Sequence, residues 1–331
     1  MTRFGAAARL LIALAAAPQM VHAQSVMRRG VVHSDSMRSQ ALGITKRLVV
    51  YLPPSYADPA VPARRYPVAV YLHGGWGSET DLTVQGQLAT IMDSLVASGM
   101  REMIVVMPDG DDGWWTTWHS LNDLAACRRA PRQENADTYC VPWPKYDDYV
   151  AHDVVAHTDS LYRTLPRRAS RGIAGLSMGG YGAITIAARN PGTFAAAASH
   201  SGVLRPALLV DNSTGRPVVR DARTRDELRA VSGRRWAIIE PAFGSDSISW
   251  ITRDPSHLIE QMRRRGDPVP SLFVDVGTED HLLPMNRSFR DRMAQLKVPL
   301  LYAEWPGRHD WAYWRAHLPA SLRFLAERLA P

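Results

Sequence analysis

Cysteine is scarce in this sequence, with only two among 331 residues. That number excludes a disulfide-dense scaffold and a zinc site with four cysteine ligands. No apolar run approaches the roughly 18 residues that span a bilayer, apart from a shorter segment near the N-terminus. Charged residues make up 21% and hydrophobic residues 46%, which excludes global disorder. The length suits one large α/β domain or two small ones.

Acidic residues are in the minority, with 32 Asp and Glu against 39 Lys and Arg. The resulting charge of +7 is spread along the chain, and the basic runs at 128–129 and 263–265 are interpreted as solvated faces. No nucleic-acid-binding motif accompanies the charge, so we expect no nucleic-acid partner.

The N-terminus has the pattern of a secretory signal peptide. Arg3 and Arg9 form a basic start, residues 10–17 form an apolar centre, and the small-x-small rule places cleavage after Ala23. A buried first helix is the alternative, but a proline before the cleavage site fits processing better. We expect a secreted or periplasmic protein comprising residues 24–331 as a single domain, with no membrane span after cleavage. Loss of the two arginines would change the charge from +7 to +5.

The two cysteines lie close in sequence, in a segment rich in loop-forming residues. Because disulfides persist in oxidising compartments, we predict a bridge between Cys127 and Cys140. In the chain-entropy model it would stabilise the fold by about 2–4 kcal/mol. Two free thiols are the alternative.

Short apolar runs bounded by turn residues alternate with stretches of helical periodicity, and such runs are typical of strands buried on both faces. The predicted strands cover residues 31–36, 46–52, 66–72, 103–107, 172–176, 194–199, 271–276 and 300–304. The predicted helices cover about 147–164, the segment from the turn at 177 to 189, a stripe from 285 to 296, and 311–325. This alternation predicts an α/β fold with a mostly parallel central sheet flanked by helices.

Two segments interrupt the alternation. Residues 110–146 are rich in aromatic side chains, and residues 203–256 contain few clear strands. Open α/β sheets bind ligands at the carboxyl ends of their strands, so we expect both segments to lie there as insertions. Trp114 and Trp115 are candidates for stacking on a sugar or phenolic ring, with packing inside the insertion as an equal alternative.

Residues 175–179 read Gly-Leu-Ser-Met-Gly, with a predicted strand before them and a predicted helix after them. This G-x-S-x-G pattern is typical of a sharp turn that exposes a nucleophilic serine at its tip. Ser177 is therefore the predicted nucleophile. A structural serine in a glycine-rich turn is the alternative.

A serine hydroxyl needs a base, and in hydrolases of this kind the acid and then the histidine follow the serine along the chain. His309 is the predicted base, because it lies in a loop just after the last predicted strand. His317 falls within the final helix, and His281 directly follows the candidate acid.

Asp280 is the predicted acid, because it follows the strand at 271–276 after a short turn and can accept the imidazole Nδ1–H. Three other acids are less suited to this role. Asp275 lies inside the strand, Glu279 should face the other way, and Asp310 can hardly reach the far nitrogen of the histidine beside it.

The oxyanion of such a reaction needs two preorganised amide donors. Met178, directly after the nucleophile, should supply one, and Gly75, in the loop after the third strand, should supply the other. Trp76 is the alternative second donor and a further candidate for substrate contact. His73, in the same loop, is interpreted as a structural residue.

No metal or other cofactor is expected. His152, Asp153 and His157 might suggest a metal site, but a spacing of five does not stack the two histidines on one helix face.

The motifs resemble the esterase D-like branch of the α/β-hydrolases, which includes feruloyl and acetylxylan esterases, S-formylglutathione hydrolases and mycolyltransferases. They run in family order across about residues 28–328: Val49 with YLPPSY at 51–56, YP through YLHG at 66–74, MPDG at 107–110, GLSMGG at 175–180, GTED at 277–280, Asn286 with Phe289, and Gly307 with His309, Trp311 and Trp314. The resemblance implies the α/β-hydrolase fold. It places the family's catalytic residues on Ser177, Asp280 and His309, in agreement with the residue-by-residue argument.

The resulting hypothesis is an exported serine esterase acting on a small-molecule or carbohydrate ester, such as an acylated carbohydrate or a phenolic ester. Acyl transfer and peptidase or amidase activity with the same triad are alternatives. A non-catalytic carbohydrate-binding protein is another. The sequence leaves the acyl group, the alcohol and the oligomeric state open.

Overall fold

The structure, a computed structural model, describes residues 1, 29–121, 123–130, 135–211 and 218–331. The predicted signal peptide at 1–23 lies outside the described residues, apart from Met1. The strands are β1 (Val31–Arg38), β2 (Thr45–Leu52), β3 (Val68–Leu72), β4 (Ile104–Pro108), β5 (Arg171–Leu176), β6 (Ala196–His200), β7 (Leu208–Asp211), β8 (Val218–Asp221), β9 (Ser271–Gly277) and β10 (Leu300–Trp305).

Eight of these strands form one sheet in the spatial order β1-β2-β4-β3-β5-β6-β9-β10. The two pairings at the β1 edge are antiparallel, and the other five are parallel. The central strands β3 to β6 are buried along their whole length, which explains why they read as continuous apolar or small-residue runs. The predicted mostly parallel sheet is confirmed.

Helices cover both faces of the sheet. They are α1 (Asp81–Val84), α2 (Leu88–Ala97), α3 (Leu124–Arg129), α4 (Ala136–Tyr139), α5 (Tyr146–Asp148), α6 (Val155–Leu161), α7 (Met178–Arg189), α8 (Arg225–Ser232), α9 (Trp236–Phe243), α10 (Ser247–Ile251), α11 (Pro255–Arg265), α12 (Leu283–Gln295) and α13 (Trp311–Arg328). The core has one cluster under α2 and α13 and another under α7, α11 and α12. No helix in the described ranges has the length and apolar character to cross a membrane.

The predicted helix at 147–164 is interrupted and shorter than expected. A π-helical stretch, Tyr149–Val154, joins α5 to α6, and α6 ends at Leu161. The helix α2 has no counterpart among the predicted elements, although four of its residues are buried.

The aromatic-rich insertion begins on a buried ion-pair cluster. The ammonium group of Lys46, on β2, lies 2.8 Å from a carboxylate oxygen of Asp109 and 2.6 Å from one of Asp111. The Tyr146 hydroxyl donates to Asp111 at 2.8 Å. Burial lowers the pKa of Lys46, but the two carboxylates outweigh burial and raise it above the ordinary value. The cluster therefore fixes the backbone at 109–111 against the sheet.

The predicted disulfide between Cys127 and Cys140 is present, and it joins α3 to the end of α4. The expectation that Trp115 contacts substrate is wrong, because its side chain is fully buried. Its indole N–H donates to the carbonyl of His73 at 3.1 Å, so this ring braces the loop after β3.

Candidate active site

The G-x-S-x-G segment forms the sharp turn between β5 and α7. Ser177 has φ 54° and ψ −116°, a strained conformation for a residue other than glycine. The surroundings leave no room for side chains at the flanking glycines. A Cβ on Gly179 would lie 2.3 Å from the carbonyl oxygen of Leu72, and one on Gly175 would lie 2.3 Å from that of Gly179. Both glycines are therefore required by the packing that holds Ser177 at the tip.

The predicted base lies next to the predicted nucleophile. His309 follows β10, and its Nε2 is 2.9 Å from the Oγ of Ser177. Its Nδ1 is 2.8 Å from a carboxylate oxygen of Asp280. A carboxylate at Nδ1 favours the tautomer that carries its proton there, which leaves Nε2 as the acceptor. The ring of Trp314 packs edge-on against the imidazole, 4.9 Å between centroids, and limits its rotation.

The carboxyl group of Asp280 is buried and fully hydrogen-bonded. One oxygen contacts His309, and the other accepts the backbone N–H of Leu282 at 2.8 Å. Burial raises the pKa of Asp280, but the hydrogen bonds and the charge of His309 outweigh it, so the pKa lies below its ordinary value. The group therefore stays ionised in mildly acidic solution.

The three alternative acids are engaged elsewhere. The carboxylate of Asp275 accepts a hydrogen bond from the hydroxyl of Tyr313, on α13, at 2.8 Å. Glu279 is exposed and pairs with Arg308 at 3.1 Å. Asp310 caps α13, with its carboxylate accepting the Tyr313 backbone N–H at 3.0 Å.

The two alternative histidines have different environments. The ring of His281 lines the same pocket, and its centroid lies 4.7 Å from that of His309. Its own Nδ1 is 3.5 Å from a carboxylate oxygen of Asp280. Burial and the neighbouring positive charges lower the pKa of His281. His317 stacks on Trp305 at 4.3 Å.

The loop after β3 approaches the serine closely. Gly75 lines the pocket beside Ser177, and a Cβ there would meet nothing within 4 Å. Met178 is the first residue of α7, so its amide falls outside the hydrogen bonds of the helix. The alternative donor Trp76 is contradicted, because its amide already donates to Oδ1 of Asp112 at 2.7 Å. Gly75 and Met178 remain the candidate oxyanion donors.

His73 has the structural role that was predicted for it. It is buried, and its Nδ1 donates to the carbonyl of Gly74 at 2.8 Å. Its Nε2 accepts the backbone N–H of Gly110 at 3.0 Å. The imidazole thus joins the loop after β3 to the start of the aromatic-rich insertion.

A pocket of about 480 Å³ opens above Ser177. The triad side is lined by Gly75, Trp76, Trp114, Ser177, Met178, His281 and His309. The rest of the wall is mainly aliphatic and aromatic, with side chains from β7, α8 and α9 that include Leu208, Leu209, Val210, Leu228, Val231, Ile238, Ile239 and Phe243. Both predicted insertions contribute to the pocket lining, the first through Trp114 and the second through these aliphatic and aromatic side chains. Trp76 is 73% exposed.

The side chains of His152, Asp153 and His157 are separated in the structure. His157 pairs with Asp35 at 2.9 Å, whereas Asp153 accepts the hydroxyl of Ser39 at 2.6 Å. His152 is exposed and lies near an acid on its own helix. The ligand atoms of Asp280, His281 and His309 lie within 4.8 Å of one another, but two of these side chains already bond to each other beside Ser177.

A second serine–histidine–aspartate set lies between the sheet and α13. Nε2 of His200 is 2.7 Å from the hydroxyl of Ser321, and its Nδ1 is 2.5 Å from a carboxylate oxygen of Asp275. All three residues are completely buried. The hydroxyls of Tyr71 and Tyr313 extend the set to β3 and to the start of α13.

The sheet order, the flanking helices and the serine turn after β5 together define the α/β-hydrolase fold. The sequence profile of the family described as "Putative esterase" matches residues 39–325. The chain belongs to this family.

Two solved structures and one curated relative illustrate the likeness. An esterase of Mycobacterium tuberculosis is 28% identical over 283 residues, which cover 82% of this chain; the chain spans about half of that relative's length, 54%. A ferulic acid esterase structure is 26% identical with a TM-score of 0.67, covering 91% of this chain and 99% of its own. A fluorophosphonate-binding serine hydrolase of Staphylococcus aureus is 21% identical with a TM-score of 0.68, covering 90% and 99%.

Proposed function

We propose that this protein is a serine esterase in which Ser177, His309 and Asp280 are the catalytic residues. The observation that carries the proposal is the unbroken series of hydrogen bonds from the serine Oγ through the imidazole to a buried, ionised carboxylate. The series opens onto the apolar pocket, where a substrate carbonyl can approach the hydroxyl. Membership of the family supports the same conclusion.

In the first half of the reaction, His309 takes the proton of Ser177 as its Oγ attacks the ester carbonyl carbon. The carbonyl oxygen becomes an oxyanion, which accepts hydrogen bonds from the amides of Gly75 and Met178. Asp280 stabilises the imidazolium that forms. The C–O bond to the alcohol then breaks, and the alcohol leaves with the proton from His309.

In the second half, water replaces the alcohol. His309 removes a proton from that water as it attacks the acyl-enzyme, a second oxyanion forms in the same position, and the acid departs while the proton returns to Ser177. No cofactor takes part in these steps. Acyl transfer would follow if a sugar alcohol took the place of water.

The pocket supports an ester with an apolar acyl or aryl group. Its wall is mainly aliphatic and aromatic, and such surface stabilises a ligand by excluding water. A phenolic ester fits this chemistry, and a related structure is that of a ferulic acid esterase. An acylated carbohydrate could place its sugar at the rim, against exposed Trp76.

We also propose that the protein is exported, on the basis of the signal-peptide pattern at residues 1–23. Sequencing the N-terminus of the protein recovered from outside the cytoplasm of an expressing host should give Gln24 as the first residue. Recovery of the unprocessed chain from the cytoplasm would contradict export and leave the enzymatic proposal unaffected.

Labelling with a fluorophosphonate probe tests the site itself. The probe phosphonylates an activated serine, so peptide mapping should find the adduct on Ser177 and labelling should abolish aryl-ester turnover. A panel of a short aryl ester, methyl ferulate and an acetylated xylose would rank the substrate classes, with a matched anilide as the amide control. Absence of labelling would favour a carbohydrate-binding protein, and equal rates on ester and amide would favour an amidase.

A further inference from the structure

We propose that Asp112 is a positioning residue that holds the oxyanion loop in its active shape, and that its role is carried by one acceptor oxygen. The inference rests on the proposed function, because it concerns the Gly75 amide as an oxyanion donor. Asp112 belongs to the aromatic-rich insertion, far in sequence from the three proposed catalytic residues. It lines the pocket and is 8% exposed.

The contact acts on the peptide group next to the proposed donor. Oδ1 of Asp112 accepts the Trp76 amide at 2.7 Å, a short charge-assisted hydrogen bond. The amide N–H of Trp76 and the carbonyl of Gly75 belong to one planar trans peptide and point in opposite directions. Fixing the one fixes the other, and this restricts rotation about the Cα–C bond of Gly75. The N–H of Gly75 lies on the preceding peptide, whose carbonyl, that of Gly74, accepts from Nδ1 of His73 at 2.8 Å and from the Gly77 N–H at 3.2 Å.

The loop needs such a restraint for two reasons. Trp76 has φ 63°, a region that a tryptophan adopts only when its surroundings impose it. Gly75 has open space around its Cα and the wide backbone freedom of glycine. Without the carboxylate acceptor, the Trp76 backbone can relax, and Gly75 is then held from one side only, by the hydrogen bonds on the carbonyl of Gly74.

Asp112 is itself held by the insertion. Its Oδ2 receives the hydroxyl of Tyr139 at 3.4 Å, and Tyr139 directly precedes the disulfide residue Cys140. The preceding residue, Asp111, is anchored by the buried Lys46 ammonium group. Asp112 therefore connects the rigid framework of the insertion to the Trp76 amide, beside the links that Trp115 and Gly110 make to His73.

Two substitutions of similar shape isolate the acceptor. Asp112→Leu removes it, and we expect kcat for an aryl ester to fall on the order of 10- to 100-fold with little change in KM, as for a misdirected oxyanion donor. Asp112→Asn keeps an acceptor oxygen, and kcat should stay within about threefold of the unmodified enzyme. Binding of an aryl trifluoromethyl ketone, whose adduct places an oxyanion in the hole, should weaken in parallel with kcat/KM in the leucine variant only.

Thermal melting of both variants controls for general damage. An equal loss of kcat in the leucine and asparagine variants would assign the effect to the charge of Asp112 and overturn the proposal. Unchanged kcat in the leucine variant would overturn it as well. If the leucine variant does not fold, Asp112→Ala replaces it in the same comparison. Any of these negative outcomes leaves the proposed esterase intact, because that depends on labelling and turnover at Ser177.

A separate observation concerns charge in the pocket. We infer that Arg235 forms a subsite for an anionic group, so that esters carrying a carboxylate are preferred over neutral ones. Among the described residues that line the pocket, Arg235 is the only permanent cation, its side chain is exposed, and it forms no ion pair with another described residue. The two acids in the lining are engaged, Asp112 with Trp76 and Asp81 with Ser78.

The position of Arg235 relates it to the reacting groups. Its charge is one of those that act on His281, and the His281 ring contacts that of His309. Ser177 and Arg235 line the same pocket, so a substrate whose ester carbonyl lies at Ser177 can place its anionic end in the space that Arg235 borders. Arginine suits this role because its planar group matches a carboxylate.

Matched ester pairs test this subsite. The mono-4-nitrophenyl ester of glutarate should show a higher kcat/KM than 4-nitrophenyl valerate, and Arg235→Gln should reduce the glutarate value on the order of tenfold without changing the valerate value. Arg235→Lys should keep part of the preference. A second pair, 3-carboxyphenyl butyrate and phenyl butyrate, distinguishes an anion on the alcohol side. Equal effects of Arg235→Gln on both members of both pairs would overturn the inference while leaving the esterase proposal standing.

Discussion

Replacing Ser177 with alanine is expected to lower kcat for a short aryl ester by about 10⁶-fold, to the level of uncatalysed hydrolysis helped only by the oxyanion donors. The substitution deletes the single oxygen that lies 2.9 Å from His309 Nε2. Without that atom no acyl-enzyme can form, and the imidazole has no proton to accept. Steady-state kinetics with an aryl ester measures the loss directly.

The same variant should keep its fold. Alanine at position 177 retains the strained backbone that the tight contacts of Gly175 and Gly179 impose, and it adds no atoms. Its melting temperature should therefore match that of the parent protein, and it should still bind a slow substrate with an unchanged Kd. Turnover within tenfold of the parent would eliminate Ser177 as the nucleophile.

Replacing Asp280 with asparagine is expected to lower kcat by about 10⁴-fold. The amide of asparagine can present an N–H where the carboxylate accepted one, which favours the tautomer of His309 with its proton on Nε2. That tautomer cannot accept the proton of Ser177. The change also removes the negative charge that stabilises the imidazolium.

Two neighbouring acids provide matched controls for this prediction. Glu279→Gln alters a group that is exposed and paired with Arg308, and Asp310→Asn alters the cap of α13. Both should retain kcat within a few-fold of the parent. A loss confined to either control, with normal turnover in Asp280→Asn, would reassign the acid.

The pH dependence follows from the same carboxylate. Because the pKa of Asp280 is lowered in the folded protein, its contribution to stability is present above its unfolded pKa and is lost as the pH falls through the folded value. At neutral and mildly acidic pH the group is ionised. Asp280→Asn should therefore lower the plateau of the pH–rate profile at these pH values.

Most of the sheet, and the arrangement of Ser177, His309 and Asp280, could be predicted because the signals are local. Strand β5, the turn at Ser177 and α7 follow from an apolar run, two glycines and a helical pattern. Asp280 and His309 could be found because each lies in a short turn directly after a predicted strand, β9 and β10 respectively. Each choice depends on a few consecutive residues.

The parts that escaped prediction depend on contacts between distant segments. Trp115 is a candidate for substrate contact by sequence, yet its indole N–H donates to the carbonyl of His73, 42 positions earlier. Asp112 has no motif around it, and its importance comes from the Trp76 amide, 36 positions earlier. The wall from β7, α8 and α9 comes from a segment whose pattern is mixed, so its side chains could not be assigned to the pocket.

The buried set of Ser321, His200 and Asp275 has a wider consequence for how catalytic sites are recognised. Its interatomic spacings are as short as those around Ser177, and a search by side-chain type and distance alone would return both clusters from this one chain. Only one of them meets solvent. A template search for hydrolases should therefore rank its hits by access to water before it ranks them by geometric fit.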